Sequence, residues 1–364
     1  MPAYKDVKSG KWYAQFWYTD YNGQNKKKMK RGFNKKSEAQ KFESEYKLKT
    51  NGSSEMTFKS LIDDYLEDSS HRLRETTMAN KKHLIEKKLL PFFGDMPINK
   101  IDAITVRKWQ NSILKGETKG GSKFSQTYMK TINNQLSAIL NYAVKFYNLP
   151  GNPVHKTGSI GKKNADTMKF WTVNEFEKFI EVVSSKMQSK MIFNLLFWSG
   201  MRSGELLALT LNDFDIVNRT VRINKTYTRL QGKDIISEPK TPRSNRTINL
   251  PEFIFDVLDE YLKALYDYDP SQRLFNVTKF YLSHEMTRGS KESGVKRIRV
   301  HDLRHSHASL LIELGFSPIL IRDRLGHEDI QTTLNTYSHL YPNKQEEVAD
   351  KLNKIKNGIK TESE

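Results

Sequence analysis

The residues that could do chemistry sit in five short segments of the C-terminal half: SGMRSGEL over 199–206, EPKTPRSNR over 238–246, HDLRH over 301–305, LGH over 325–327 and LNTYSH over 334–339. They supply Arg202, Lys240, His301, Arg304, His327 and Tyr337. Each has an ordinary reading when taken alone. Arg202 follows the expected end of a helix, where a cation meets the negative end of the dipole. Lys240, in a basic turn, reads as a solvated charge, and Tyr337 as a core residue with its hydroxyl at the surface. His301 and His305 have the i, i+4 spacing of a zinc pair. The metalloprotease pattern, however, needs Glu directly after the first His, and Asp302 stands there. Arg304 on the same turn would repel a dication, so no metal and no cofactor is expected.

Together the six suit one task. Cleaving a phosphodiester without a metal requires cations on the non-bridging oxygens, a proton donor to the leaving 5′ oxygen and a nucleophile. Arginine presents two parallel donors that match a phosphate and stays charged. Two such groups fixed in advance supply electrostatic stabilisation where charge builds. Histidine and lysine move protons near neutral pH. Tyrosine can act as a covalent nucleophile.

The remainder of the chain must position this set. It has 364 residues, with 60 Lys and Arg against 42 Asp and Glu, a net charge of +18. Such an excess is self-repelling unless a polyanion relieves it, so nucleic acid is the leading partner. The absence of cysteine excludes disulfides, cysteine-based zinc or iron–sulfur sites and a thiol nucleophile. The longest apolar run, Met191–Trp198, is broken by Asn194 and falls short of the ~18 residues of a membrane span. The N-terminus lacks the apolar stretch of a signal peptide. No phosphate-loop motif suggests ATP use. A soluble protein of the cytoplasm is expected, with no membrane partner.

Residues 1–55 carry 13 Lys or Arg against 6 Asp or Glu. Lys11–Asp20 and Lys26–Phe33 read as two strands around an Asn22-Gly23 turn, followed by a helix over Ser37–Lys49. The run Lys26, Lys27, Lys28, Lys30, Arg31, Lys35 and Lys36 contains no acid and reads either as a solvated face or as a DNA-groove reader. From Phe58 onward the apolar spacing turns helical, predicting helices over 58–66, 76–90 with an end before Pro91, 104–114 and 126–147. Residues 151–168 read as a linker. Thr172-x-x-Glu175 then forms a capping box, and Thr220–Ile223 and Arg246–Leu250 alternate as strands. Ser317-Pro318 starts a helix that Gly326 ends, and Glu328–Tyr337 is a further short helix.

In order and spacing, the five segments resemble the tyrosine recombinase (phage integrase) family: SGMRSGE around Arg202, the turn lysine Lys240, HDLRH, LGH 23 residues beyond Arg304, and Tyr337 ten residues further on. The likeness is strong over 169–341, moderate over 57–150 and weakest over 1–55. It implies a multidomain, mainly α protein with small β-sheets. The implied parts are an arm-type DNA-binding domain of sheet plus helix over 1–55, a helical-bundle core-binding domain over 56–150, a mixed α+β catalytic domain over 169–342 and a tail helix over 343–364.

The resemblance also implies roles. Tyr337 attacks the scissile phosphate to form a 3′-phosphotyrosine and free a 5′-hydroxyl. Arg202 and Arg304 clamp the phosphate. Lys240 protonates the leaving oxygen, or helps to. His301 assists proton transfer, and whether it is the base for Tyr337 stays open. His327 hydrogen-bonds the phosphate, Glu205 orients Arg202 or His301, and His305 is structural rather than chemical. The implied activity is site-specific recombination for a phage or integrative element, with type IB topoisomerase-like relaxation or a non-catalytic DNA-binding regulator as alternatives. The implied partners are double-stranded DNA with core-type and arm-type sites, a homo-tetramer, and accessory DNA-bending or excision factors in a bacterial nucleoid. In the tail, Val348, Leu352, Ile355 and Ile359 form an apolar stripe that packs either on its own domain or on a neighbouring protomer.

Overall fold

The structure is a computed structural model. It describes residues 3–7, 9–19, 25–50, 55–117, 121–163, 169–239, 241–266 and 268–338. The Asn22-Gly23 turn, Lys240 and the tail stripe over 343–364 lie outside the described residues. The chain divides into two units, Met1–Asp166 and Thr167–Glu364.

The first unit opens with alternation. Strands β1 (Ala3–Lys5), β2 (Trp12–Thr19) and β3 (Asn25–Phe33) form an antiparallel sheet in that order. Because side chains alternate across a strand, Ala14, Phe16, Trp12 and Tyr18 face helix α1 (Lys36–Thr50) and meet Ala39, Phe42 and Tyr46 there. Ala14 and Ala39 have no exposed surface, so the helix sits close on the sheet. Trp17 points to the opposite face and is 63% exposed.

The helical part follows as α2 (Phe58–Ser70), α3 (Glu75–Leu84), α4 (Leu90–Phe93), α5 (Ala103–Lys115), α6 (Gln126–Phe146) and α7 (Pro153–Thr157). Thr57, Asp102, Ser125 and Asn152 cap four of these with side-chain oxygens that accept backbone N–H groups. The 58–66 stripe lies in one core with Trp109, Ile132, Leu136 and Ile139. Inside it the Gln110 amide nitrogen donates to Asn133 at 2.9 Å and to the Gly158 carbonyl at 2.8 Å, while its Oε1 is buried without a partner among the described residues.

Two expectations need amending. The helix predicted to end before Pro91 instead widens into a π-helical turn over Ile85–Leu89, and Pro91 sits in the first turn of α4. A proline there needs no hydrogen-bond donor, so the chain continues. The stretch read as a linker is ordered at its start, where Val154 and Ile160 are buried in the helical core.

The second unit is built around α9 (Met187–Ser199), which follows α8 (Val173–Val183). The apolar run in α9 is buried on nearly every side, as a helix at the centre of a core must be. The capping box at Thr172 and Glu175 forms as read. Next come α10 (Ser203–Leu206), β4 (Phe214–Asp215), β5 (Thr220–Ile223), β6 (Thr226–Leu230), β7 (Lys233–Ser237), β8 (Arg246–Asn249), α11 (Glu252–Lys263), α12 (Lys279–Ser293), α13 (Asp302–Glu313), α14 (Pro318–Leu325) and α15 (Ile330–Tyr337). Strands β4, β5 and β8 form one antiparallel sheet, and β6 and β7 a hairpin. The hairpin was not anticipated. Its two-residue turn, Gln231-Gly232, has φ of 50° and 81°, and glutamine is not the residue that usually signals that conformation.

Candidate active site

The buried helix α9 ends at Gly200, which is left-handed at φ 67°. A β-carbon there would lie 2.6 Å from His307 Cδ2 and 2.8 Å from Leu325 Cδ2, so only glycine lets the turn pass this close. The turn exposes the Gly200 carbonyl to Arg304, whose Nη1 donates to it at 2.9 Å. Arg304 is 3% exposed, on the first turn of α13. The neighbouring Asp302 accepts from the Arg299 backbone and guanidinium, which closes the turn into that helix. Ser306 accepts from the Trp171 backbone at 2.8 Å and fixes α13 from the other side.

Arg202 follows Gly200 by two residues. Its Nη1 donates to Glu205 Oε1 at 2.8 Å and its Nη2 to the Gly326 carbonyl at 3.3 Å. Glu205, 3% exposed, also accepts from Arg246 Nη2 at 3.0 Å, and Arg246 Nε donates to the Arg324 carbonyl at 2.8 Å. Burial pushes the Glu205 carboxyl up, but the Arg246 and Arg202 charges outweigh this and hold it below its ordinary range. Gly326 ends α14 at φ 67°, and a β-carbon on it would stand 2.9 Å from Arg246 Nη1. One carboxylate and two glycine turns therefore tie four of the five segments together.

His327 follows Gly326, and its Nδ1 is 2.8 Å from the hydroxyl of the buried Thr333. Asp329 caps α15 by accepting from Gln331 N, and the helix ends at Tyr337. Tyr337 is 1% exposed and packs with Ala308, Leu311, Ile321 and Leu325. Its hydroxyl is 2.8 Å from His305 Nδ1, with the two rings edge-on at 5.6 Å. His301, at the N-cap of α13, meets His305 edge-on at 5.3 Å.

The electrostatics of the group are one-sided. Burial, then the Arg202 charge, brings the Arg304 guanidinium down to about 9, so it is still a cation at neutral pH. Its Nη2 is buried without a hydrogen-bond partner. Burial and nearby cations push His301 down to about 4 and His327 to about 3. Burial raises the Tyr337 hydroxyl to about 12, against the pull of Arg304 and then Arg202. Neutral imidazoles, a protonated phenol and guanidiniums with one carboxylate among them leave the pocket short of negative charge, as a receptor for a phosphate would be.

Arg202, Glu205, His301, Arg304, His327 and Tyr337 are thus gathered in the second unit, while Lys240 lies outside the described residues. Two residues carry more than their sequence context suggested. Arg246 closes the Glu205 pair, and its only signal was a place in the EPKTPRSNR segment. His305 stands on the Tyr337 hydroxyl, although its sequence reading was structural.

The basic run of the first unit is split by the sheet. Lys27 lies over Trp17 at 6.0 Å and Arg31 over Tyr13 at 5.7 Å, on the face away from α1. Lys28 lies over Tyr46 and Lys30 over Phe42, at the α1 edge, and Lys36 over Trp12. Lys26 and Lys35 are exposed beside them.

A buried guanidinium with a free N–H, a second guanidinium anchored on a carboxylate, two neutral imidazoles and a tyrosine are groups suited to phosphoryl transfer. Comparison with known proteins names the class. The phage integrase family matches residues 169–344, its N-terminal SAM-like domain 57–114, and an arm DNA-binding domain 2–50. The chain belongs to the phage integrase family of tyrosine recombinases. It is 29% identical to the ICEBs1 integrase of Bacillus subtilis, covering 82% of this chain and 83% of that one. It is 27% identical to the integrase of Staphylococcus phage L54a, covering 85% and 97%. Its fold matches the Tn1549 transposon integrase in complex with a circular-intermediate DNA, with a TM-score of 0.67 at 20% identity, over 82% of this chain and 99% of the other.

Proposed function

We propose that this chain is the recombinase of a phage or integrative element and that it cuts and rejoins DNA through Tyr337. Arg202 and Arg304 hold the non-bridging oxygens, His327 hydrogen-bonds the phosphate, His301 assists proton transfer, and Lys240 supplies the proton to the leaving 5′ oxygen. Glu205 keeps Arg202 in place. The observation that carries the reading is the buried Arg304 N–H without a partner, in the pocket where both arginines act on the Tyr337 hydroxyl. A phosphate oxygen satisfies that donor.

Transesterification trades one phosphodiester for another, so the bond is conserved for rejoining and no ATP is needed. Direction then comes from DNA and protein contacts. The arm face with Lys27 and Arg31, the Lys26–Lys28–Lys30 edge and Lys35–Lys36 track DNA phosphates at arm-type sites, and the helical domain together with the catalytic domain engages core-type sites. The protein acts in the bacterial cytoplasm on the nucleoid, as a tetramer over two DNA sites with accessory DNA-bending or excision factors. Among the described residues no helix is long and apolar enough to cross a membrane. Domain limits of 1–55, 56–150, 169–342 and a tail helix over 343–364 fit this division of labour.

The test uses a nicked duplex carrying a site selected for the wild-type protein. An SDS-stable protein–DNA adduct forms with the wild type and is absent with Tyr337→Phe. An adduct formed by that variant overturns the reading. Deleting 343–364 abolishes higher-order complexes while cleavage persists, and unchanged assembly removes the tail from the tetramer contacts.

A further inference from the structure

Among the described residues the imidazole nitrogen that meets the Tyr337 hydroxyl belongs to His305, not to His301. We propose that His305 is a catalytic residue, holding the Tyr337 phenol by its proton and taking that proton as the oxygen attacks phosphorus. The proposal rests on Tyr337 being the nucleophile.

The geometry is that of a working base. His305 Nδ1 and Tyr337 Oη are 2.8 Å apart, within the range required for direct proton transfer. The partners come from different elements, α13 and α15, so the contact joins the nucleophile helix to the arginine helix. His305 lies one residue after Arg304, so the same first turn that aims the clamp also aims the acceptor. His301 meets His305 edge-on at 5.3 Å, and no described hydrogen bond links His301 to Tyr337.

Burial lowers the affinity of His305 for a proton, Asp302 raises it, and Arg299 and Arg304 lower it again, with a net downward shift. Those groups, His301 and Tyr337 are the titratable and charged side chains that face the ring. The ring is therefore neutral, and in the tautomer that carries its proton on Nε2 the Nδ1 atom accepts from the phenol. Burial keeps Tyr337 protonated until a phosphate arrives, so the nucleophile is held inactive and ready at once. In the step itself the Oη–H bond breaks and its proton goes to Nδ1. Oη bonds phosphorus, the bond from phosphorus to the 5′ oxygen breaks, and that oxygen takes a proton from Lys240. Rejoining runs backward, and the His305 proton returns to the departing phenolate.

The experiment measures single-turnover cleavage of the nicked duplex by full-length His305→Ala and His305→Asn. Asparagine keeps an amide group near the Nδ1 position but cannot take up a proton, and it serves where alanine disturbs folding. A parallel duplex carries sulfur in place of the bridging 5′ oxygen, a leaving group that needs no acid. Both variants are expected to cleave about 10²-fold more slowly, with unchanged DNA affinity and melting temperature. The sulfur substrate does not restore the rate, and the deficit narrows from neutral to strongly alkaline pH, where solvent base takes over. Cleavage at the wild-type rate, recovery on the sulfur substrate or a pH-independent deficit overturns the proposal. Tyr337→Phe, run alongside, reports separately on the nucleophile: an adduct from that variant sinks the underlying reading, whatever His305 does.

Discussion

The arm sheet and the catalytic pocket are both basic, and they use their cations in opposite ways. On the sheet and the first residue of α1, Lys27, Lys28, Lys30, Arg31 and Lys36 are exposed and lie over aromatic rings. In the pocket, Arg304 and Arg246 are buried and Arg202 half-buried, and each is bonded to a backbone carbonyl. Exposed cations on flexible stems follow a phosphate backbone at little cost in order, and salt weakens them. Buried guanidiniums have already lost their water and freedom, so they act on one phosphate at one position. Charge alone does not separate affinity from chemistry; burial and anchoring do.

The sharpest break in the comparison is in rate. Arg304→Ala or Arg202→Ala lowers single-turnover cleavage by about 10²–10³-fold, with a much smaller change in DNA affinity, measured on the same duplex. A loss confined to affinity would make the pocket a second arm surface.

A structural break comes next. Arg246→Ala leaves Glu205 buried beside Arg202 alone and costs about 3–5 kcal/mol of stability, as removal of one partner of a buried pair does. Chemical denaturation of the wild type and the variant checks this, and an unchanged midpoint removes Glu205–Arg246 as the strut.

On the arm the expectation reverses. Lys27→Ala with Arg31→Ala leaves cleavage of a core-only duplex unchanged and weakens binding to arm-containing DNA. It also lowers the salt slope by roughly one for each phosphate no longer neutralised. Binding titrations over a salt series measure it, and an unaltered slope means the face does not touch phosphate.

The last effect is that of pH on stability. His301, His307 and His327 fall to about 4, 3 and 3 in the folded chain from an ordinary value of 6.5. The unfolded chain binds protons first, so stability is full above 6.5 and drains away as pH falls toward 3. Thermal unfolding followed from neutral to acid pH shows a falling midpoint, and a flat one contradicts the neutral imidazoles.

Much of this was legible because the signals were local. The capping box at Thr172, the Ser317-Pro318 start and the Gly326 stop are set by side chains within one turn, and all three formed as read. Arg202, Arg304, His327 and Tyr337 stand out because the order and spacing of their segments resemble one family, and Arg202 and Arg304 lie near enough to the Tyr337 hydroxyl to pull on its proton affinity. The π turn before Pro91 leaves no mark in the apolar spacing, the β6–β7 hairpin turns on a glutamine rather than a usual turn residue, and Pro153–Thr157 is a single turn capped by Asn152 whose Val154 enters the helical core. Arg246 and His305 were missed because their partners lie far along the chain. Arg246 meets Glu205 across 41 positions and His305 meets Tyr337 across 32, and neither partner marks the other in the sequence.

The central claim is that the Tyr337 oxygen becomes esterified to DNA. It is tested most directly by trapping the adduct, digesting it with nuclease and protease, and finding the nucleotide-bearing peptide by mass. The expected result is a 3′-linked nucleotide on the peptide containing Tyr337, with a free 5′-hydroxyl on the released strand. A nucleotide on any other side chain, or a 5′ linkage, contradicts the account.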